Sequence, residues 1–100
     1  MNPFFDELGD RLAKAASREG AAIERPTLDP AVAGELLELA RVAAHTRERR
    51  FAPLSTFLAG VAAERLRSAF GTADPQQVLD LISSVRKDLE AEAAGGPDQG

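Results

Sequence analysis

Three residues of types that favour helix N-caps each stand directly before a proline in this chain: Asn2 before Pro3, Asp29 before Pro30 and Asp74 before Pro75. An N-cap side chain accepts a hydrogen bond from the first helical turn, and proline suits that turn because it has no N–H to satisfy. Each pair therefore predicts where a helix begins. Gln77, three residues after Asp74, predicts the reciprocal contact of a capping box.

A fourth boundary is predicted at Pro53, which disfavours helical geometry at Ala52 and suits the first turn of a new helix. We therefore expect a break between Thr46 and Ala52. We expect the first helix to stop by Gly20 and the third to end near Phe70, because glycine is a common C-terminal stop.

The four segments share apolar residues at helical spacing of three and four. The positions are Phe5, Leu8, Leu12 and Ala15; Val32, Leu36, either Leu39 or Ala40, and Ala43; Leu54, Phe57, Leu58, Val61, Ala62, Leu66 and Phe70; and Val78, Ile82, Val85 and Leu89. The chain is 44% hydrophobic but only 5% aromatic, a composition that favours helices over strands. These patterns predict an all-α fold, a small bundle of about four helices, with the broad apolar face of the third helix at its centre.

A chain of 100 residues fits one small domain. We expect a single helical domain over residues 1–90. The segment AEAAGGPDQG at residues 91–100 lacks apolar anchors and is expected to form a disordered C-terminal tail.

Several function classes are disfavoured by composition. The chain has no cysteine and a formal net charge of −4, which argues against disulfides, a thiol nucleophile and general nucleic-acid binding. No window approaches 18 uncharged apolar residues, so no membrane insertion is expected. Asp6, Glu7 and Asp10 stand where a secretory signal needs an apolar run, which indicates a cytoplasmic protein.

The junction between the second and third predicted helices holds the candidate site. Its members are Arg41, His45, Arg47, Arg49, Arg50, Phe51, Ser55 and Thr56. Arginines and a histidine close together suit a phosphate or a carboxylate-rich partner. The alternative is that they complement the helix dipole and form salt bridges within the chain.

The remaining members of the site also have two interpretations. Ser55 and Thr56 either present hydroxyls to an anion or satisfy the first helical turn, and Phe51 is either a stacking residue or a hydrophobic staple. Catalysis by serine would need a base and an orienting acid, and His45 is the one imidazole in the sequence. Glu35, Glu38 and Glu48 are interpreted as exposed helix residues rather than metal ligands. We therefore expect no enzyme activity, no metal and no cofactor.

A resemblance to a known family is carried by residues 36–66, which read LLELARVAAHTRERRFAPLSTFLAGVAAERL, with LDP before them and DPQQVLDLISSVR after. They resemble an actinobacterial family of domains of unknown function with the approximate motif LLDLAR-x-AAH, an arginine, then APLTTFLAGLAAG. The positions that match its core are Arg41, His45, Arg49, Ala52, Pro53, Leu54, Thr56, Phe57 and Gly60. This chain departs from it at Glu64, where a glycine is usual, and in its extra Arg47 and Arg50.

In that family the domain occurs alone or joined to the guanylyltransferase that makes the molybdenum dinucleotide cofactor, and near formate dehydrogenase maturation genes. The resemblance spans most of residues 4–89 and implies an accessory role around molybdoenzymes. The resemblance implies no catalytic residues in this chain.

Three hypotheses follow. The first is a non-enzymatic interaction module that docks as a small subunit on a larger protein, a molybdoenzyme such as a formate dehydrogenase or its maturation factor. Its contact would be the junction at residues 41–53 or the face of the fourth helix. The second is a small carrier that binds a phosphate-bearing nucleotide or a pterin cofactor at that junction. The third is a homodimer formed through the seam of Val78, Ile82, Val85 and Leu89.

Overall fold

The structure is a computed structural model that describes residues 2–71 and 74–95. The helices in that part of the chain are α1 (Pro3–Arg18), α2 (Pro30–Thr46), α3 (Phe51–Phe70) and α4 (Pro75–Gly95). No strand occurs among the described residues. The predicted all-α fold is confirmed.

Local capping signals place the helix starts. The Asn2 side chain accepts a hydrogen bond from the Phe4 backbone N–H, at 2.9 Å from Oδ1 to nitrogen. At the start of α4 the predicted capping box forms: the Gln76 N–H donates to Asp74 Oδ1 at 3.0 Å, and the Asp74 N–H donates to Gln77 Oε1 at 3.2 Å. These contacts satisfy N–H groups that have no partner inside the helix.

The start of α3 differs from the prediction, because Ala52 is helical. The backbone N–H groups of Phe51 and Ala52 donate to the carbonyls of Glu48 and Arg49 at 2.9 and 3.1 Å. This tight turn leads the chain into the helix two residues ahead of Pro53. Proline still lies in the first turn, where its missing N–H costs nothing. The helix ends before Gly71, whose φ of 80° is the left-handed geometry of a C-terminal stop.

The end of α4 also differs from the prediction. The helix continues through residues 91–95, five residues past the expected end at Glu90. Alanine and glutamate are good helix formers, and extending an existing helix is far cheaper than nucleating one. Residues 96–100 of the predicted tail lie outside the described residues.

The chain divides into two compact units, Met1–Pro30 and Ala31–Gly100. In the first unit the segment after α1 turns back along the helix. Gly9 is buried there by the returning segment. The backbone of that segment comes so close that a Cβ atom added at Gly9 would lie 2.5 Å from the Pro26 carbonyl oxygen. Arg25 also donates to Asp10 of α1, at 3.4 Å. The glycine therefore permits the close approach of the backbone to α1.

The second unit takes its buried side chains from α2 and α4. Leu39, Val42 and Ala43 on α2 and Ile82 on α4 are at most 5% exposed. No described residue of α3 is buried. The expectation that α3 is the central helix is therefore wrong. Periodicity correctly identifies an apolar face on α3, but its neighbours cover only part of that face.

Replacing Gly9 with alanine tests the close approach in the first unit. Helix propensity alone favours alanine by about 1 kcal/mol, but the new methyl group meets a backbone oxygen that cannot move without shifting the chain. We expect Gly9→Ala to lower the free energy of unfolding by about 1–3 kcal/mol, measured by chemical denaturation followed by circular dichroism.

Gly34→Ala is the matched control. Gly34 is also helical, and nothing lies within 4 Å of its added Cβ, so the same substitution should raise the free energy of unfolding by up to about 1 kcal/mol. Equal stabilisation by both changes would show that the segment at Pro26 is not held against α1.

Candidate functional site

An apolar groove lies between α3 and α4 and has a volume of about 290 Å³. We call it the α3–α4 groove. Its lining residues are Leu39, Ser55, Leu58, Ala59, Ala62, Leu81, Ile82, Val85 and Leu89. Ser55 supplies the one polar side chain in this lining, and none of the lining side chains is titratable. The groove is therefore a surface for apolar contact.

Helical spacing explains why these residues meet. On α3 the lining positions follow Ser55 at intervals of three, four and seven, which keeps them on one face. On α4, Leu81, Val85 and Leu89 recur every four residues and form the opposite wall. Ala59 and Ala62 have short side chains, so the two helices leave a channel between them instead of closing it.

Large apolar side chains remain exposed at this channel. Leu58 and Val85, which line it, are 67% and 46% exposed, and Leu54, one helical turn before Leu58, is 60% exposed. Phe57 is 70% exposed but lies about 100° around α3 from Leu58, away from the lining. Single exposed apolar residues are ordinary, but several beside one groove are typical of a binding surface. The apolar face of α3 is evident from the sequence, but the exposure of its side chains differs from the expectation that this face lies at the centre of the bundle.

The arginines of the predicted junction mostly form ion pairs within the chain. Arg41 pairs with Glu38 at 3.2 Å and with Glu90 at 3.5 Å, and Arg47 pairs with Glu92 at 3.1 Å. Arg50 pairs with Glu48 at 3.2 Å. Their charges are therefore partly neutralised by carboxylates of α2, of α4 and of the loop itself. Both His45 and Arg49 are exposed, and neither has an ion pair among the described residues.

The other predicted site residues serve different purposes. The Thr56 hydroxyl donates to the Pro53 carbonyl oxygen at 2.8 Å, which is the first-turn alternative given above. Ser55 lies in the α3–α4 groove. Phe51 is half-buried at the first position of α3.

An ion-pair cluster between α2 and α4 holds the wall of the groove in place. Arg86 donates to Glu35 of α2 and to Glu90 one turn further along α4. The side chains of Arg86 and Glu35 are each only 17% exposed. The hydrogen bond to Glu35 raises the pKa of Arg86 above its usual value, against the opposing effect of partial burial. The arginine is thus firmly charged and paired.

The interpretation of Glu35 as an ordinary exposed helix residue is wrong, because its side chain is only 17% exposed and pairs with Arg86. Its partner lies 51 residues away in the sequence, and no local pattern connects the two. Only the packing of α4 on α2 brings the carboxylate to the guanidinium.

The described residues contain no group of three or more His, Asp or Glu side chains placed to bind a metal ion. Within the same ranges, no helix has the length and apolar character needed to cross a membrane.

Glu35→Gln tests whether the cluster stabilises the second unit. Without the Glu35 carboxylate, Arg86 keeps Glu90 as its one carboxylate partner. Leaving a half-buried charge with fewer partners costs more free energy of folding than breaking a solvated ion pair. We expect a clear drop in the thermal midpoint measured by calorimetry.

The control is Glu48→Gln, which breaks the exposed pair with Arg50, whose side chain is 79% exposed. Exposed pairs contribute little, so this change should alter stability by no more than about 0.5 kcal/mol. A midpoint that falls equally in both variants would contradict a special role for the Glu35 cluster.

Comparison with known proteins gives one family. The family described as a domain of unknown function (DUF6457) matches residues 1–96, nearly the whole chain. No curated protein and no solved structure matches the chain.

Proposed function

Since the chain belongs to the domain-of-unknown-function family DUF6457, we propose its role from its surface: it is a non-enzymatic accessory module that docks on a larger protein through the α3–α4 groove. The observation that carries this proposal is the exposure of Leu54, Leu58 and Val85 at an apolar channel.

The energetics support docking at this groove. Fully burying a leucine or phenylalanine side chain contributes about 1.5–3 kcal/mol. Leu54 and Leu58 are 60% and 67% exposed, so most of that contribution is still available to a partner in the groove. Interfaces draw most of their affinity from a few such side chains in a groove.

The basic junction has less support as the main contact. Arg41, Arg47 and Arg50 already pair with carboxylates of the same chain, and a partner would have to replace those pairs. Exchange of one exposed ion pair for another yields little free energy. The same pairing weakens the alternative of a carrier for a phosphate-bearing nucleotide or a pterin cofactor at residues 41–53.

Absence of catalysis is part of the proposal and is supported by the lining of the groove. Ser55 is its one hydroxyl, and no acid or base lines the groove beside it. General acid–base and nucleophilic mechanisms both need a titratable group in reach of the reacting atom.

The larger partner that we propose is a cytoplasmic molybdoenzyme such as a formate dehydrogenase, or its maturation factor. This part of the proposal rests on the resemblance of residues 36–63 to the motif quoted above, not on a contact in the structure. The homodimer through α4 has less support, because Ile82 is only 2% exposed and packs within its own chain.

Leu58→Asp tests the docking role. A charge in the groove should cost the interface more than 1.4 kcal/mol, so we expect at least about a tenfold loss of partner retained by the tagged chain from its native host. Quantitative mass spectrometry of the retained proteins is the measurement, and circular dichroism checks that the helices persist.

Leu37→Asp is the matched control. Leu37 is 71% exposed, close to the 67% of Leu58, but it lies on α2 and does not line the groove. It should leave retention unchanged. If Arg49→Glu abolished retention while Leu58→Asp did not, the contact would lie at the junction and the groove proposal would be wrong.

A further inference from the structure

The α3 side of the groove carries an arginine. Arg65 follows Leu58 by seven residues and Ala62 by three, so it lies on the side of α3 that borders the groove. Arg65 is exposed and has no ion pair among the described residues. This rim therefore carries positive charge.

The α4 side carries the opposite charge. Asp88 follows Val85 by three residues and Leu81 by seven, so it lies on the face that lines the groove. It is exposed and has no ion pair within the described ranges. Lys87 lies next to it in sequence but points about 100° around the helix, away from that face.

The length of the groove suits two helical turns. Its α3 wall runs from Ser55 to Ala62, about 10 Å at 1.5 Å per residue. An amphipathic helix places apolar side chains at i, i+4 and i+7 over the same distance, which is how helices bind in grooves.

Building on the proposed docking role, we propose that the occupant of the α3–α4 groove is an amphipathic helix of the partner, with an acidic flank that faces Arg65 and a basic flank that faces Asp88. Because the two rims carry opposite charge, they also set the direction in which the helix lies. Turning the helix end for end exchanges its flanks and places like charges together.

A second copy and a membrane fit the same surface less well. A second copy would bring together two chains that each carry a net charge of −4, which opposes their association. An anionic bilayer would meet a chain with a net charge of −4, and Asp88 would be pressed against it.

The experiment titrates the full-length ¹⁵N-labelled chain with three stapled helical peptides and follows amide shifts at Leu58 and Val85 by NMR. The peptides share leucines at i, i+4 and i+7 and differ only in their flanks: one acidic and one basic, both acidic, or both basic. The mixed peptide gains one attraction and avoids one repulsion relative to each of the others. We expect it to bind about 2- to 30-fold more tightly.

Two charge reversals sharpen the test. Arg65→Glu makes both rims acidic, so the peptide with two basic flanks should become the tightest binder. Asp88→Lys makes both rims basic, so the peptide with two acidic flanks should become the tightest. Lys87→Glu, beside Asp88 on another face, is the control and should leave the order unchanged.

The proposal is overturned if no peptide shifts these amides saturably, if the order of affinities is the same in both reversals, or if only vesicles rich in phosphatidylserine shift them. Failure here is distinguishable from failure of the docking role. If Leu58→Asp abolishes partner retention and no peptide binds, docking stands and the helical occupant falls. If Leu58→Asp leaves retention intact, the docking role itself falls.

Discussion

The half-buried contact between Arg86 and Glu35 determines how the second unit is arranged. It fixes α4 in rotation and register against α2. Ile82 lies one turn before Arg86 and is thereby directed into the core, while Val85 and Leu89 are turned toward α3. Ion pairs with little exposure contribute more to a defined arrangement than to net stability, because desolvation offsets much of their attraction. The apolar wall of the groove depends on that arrangement.

A core built from few side chains leaves apolar surface for other uses. The buried apolar side chains among the described residues are three on α2 and one on α4. The chain has five phenylalanines and no tryptophan or tyrosine, and Phe57 is exposed instead of filling the core. Covering that face would stabilise the folded state by mass action, since a partner that binds only the native chain shifts the folding equilibrium. The docking that we propose would therefore also stabilise the fold.

Local signals predicted the parts of the fold that depend on neighbouring residues. Asn2 and Asp74 cap their helices as expected, because the atoms involved are two or three residues apart. The exposure of Phe57 depends on how many neighbours reach α3, which no periodicity reveals. The pairing of Glu35 with Arg86 spans 51 residues and has no sequence signal. The capped starts of α1 and α4 are predictable from the sequence. The α3–α4 groove appears in the sequence only as an apolar face of α3, with no sign of whether that face is buried or exposed.

The helical end of α4 bears on both the tail and the basic junction. The segment after Glu90 is predicted to be disordered, and the junction arginines are predicted either to bind a partner or to form salt bridges within the chain. In the structure α4 continues past Glu90, and this extension carries Glu92 to within 3.1 Å of Arg47. Glu90 itself reaches Arg41 at 3.5 Å. Because α4 stays helical past Glu90, its carboxylates partly neutralise the basic junction, and the apolar α3–α4 groove is left as the candidate contact surface of the second unit.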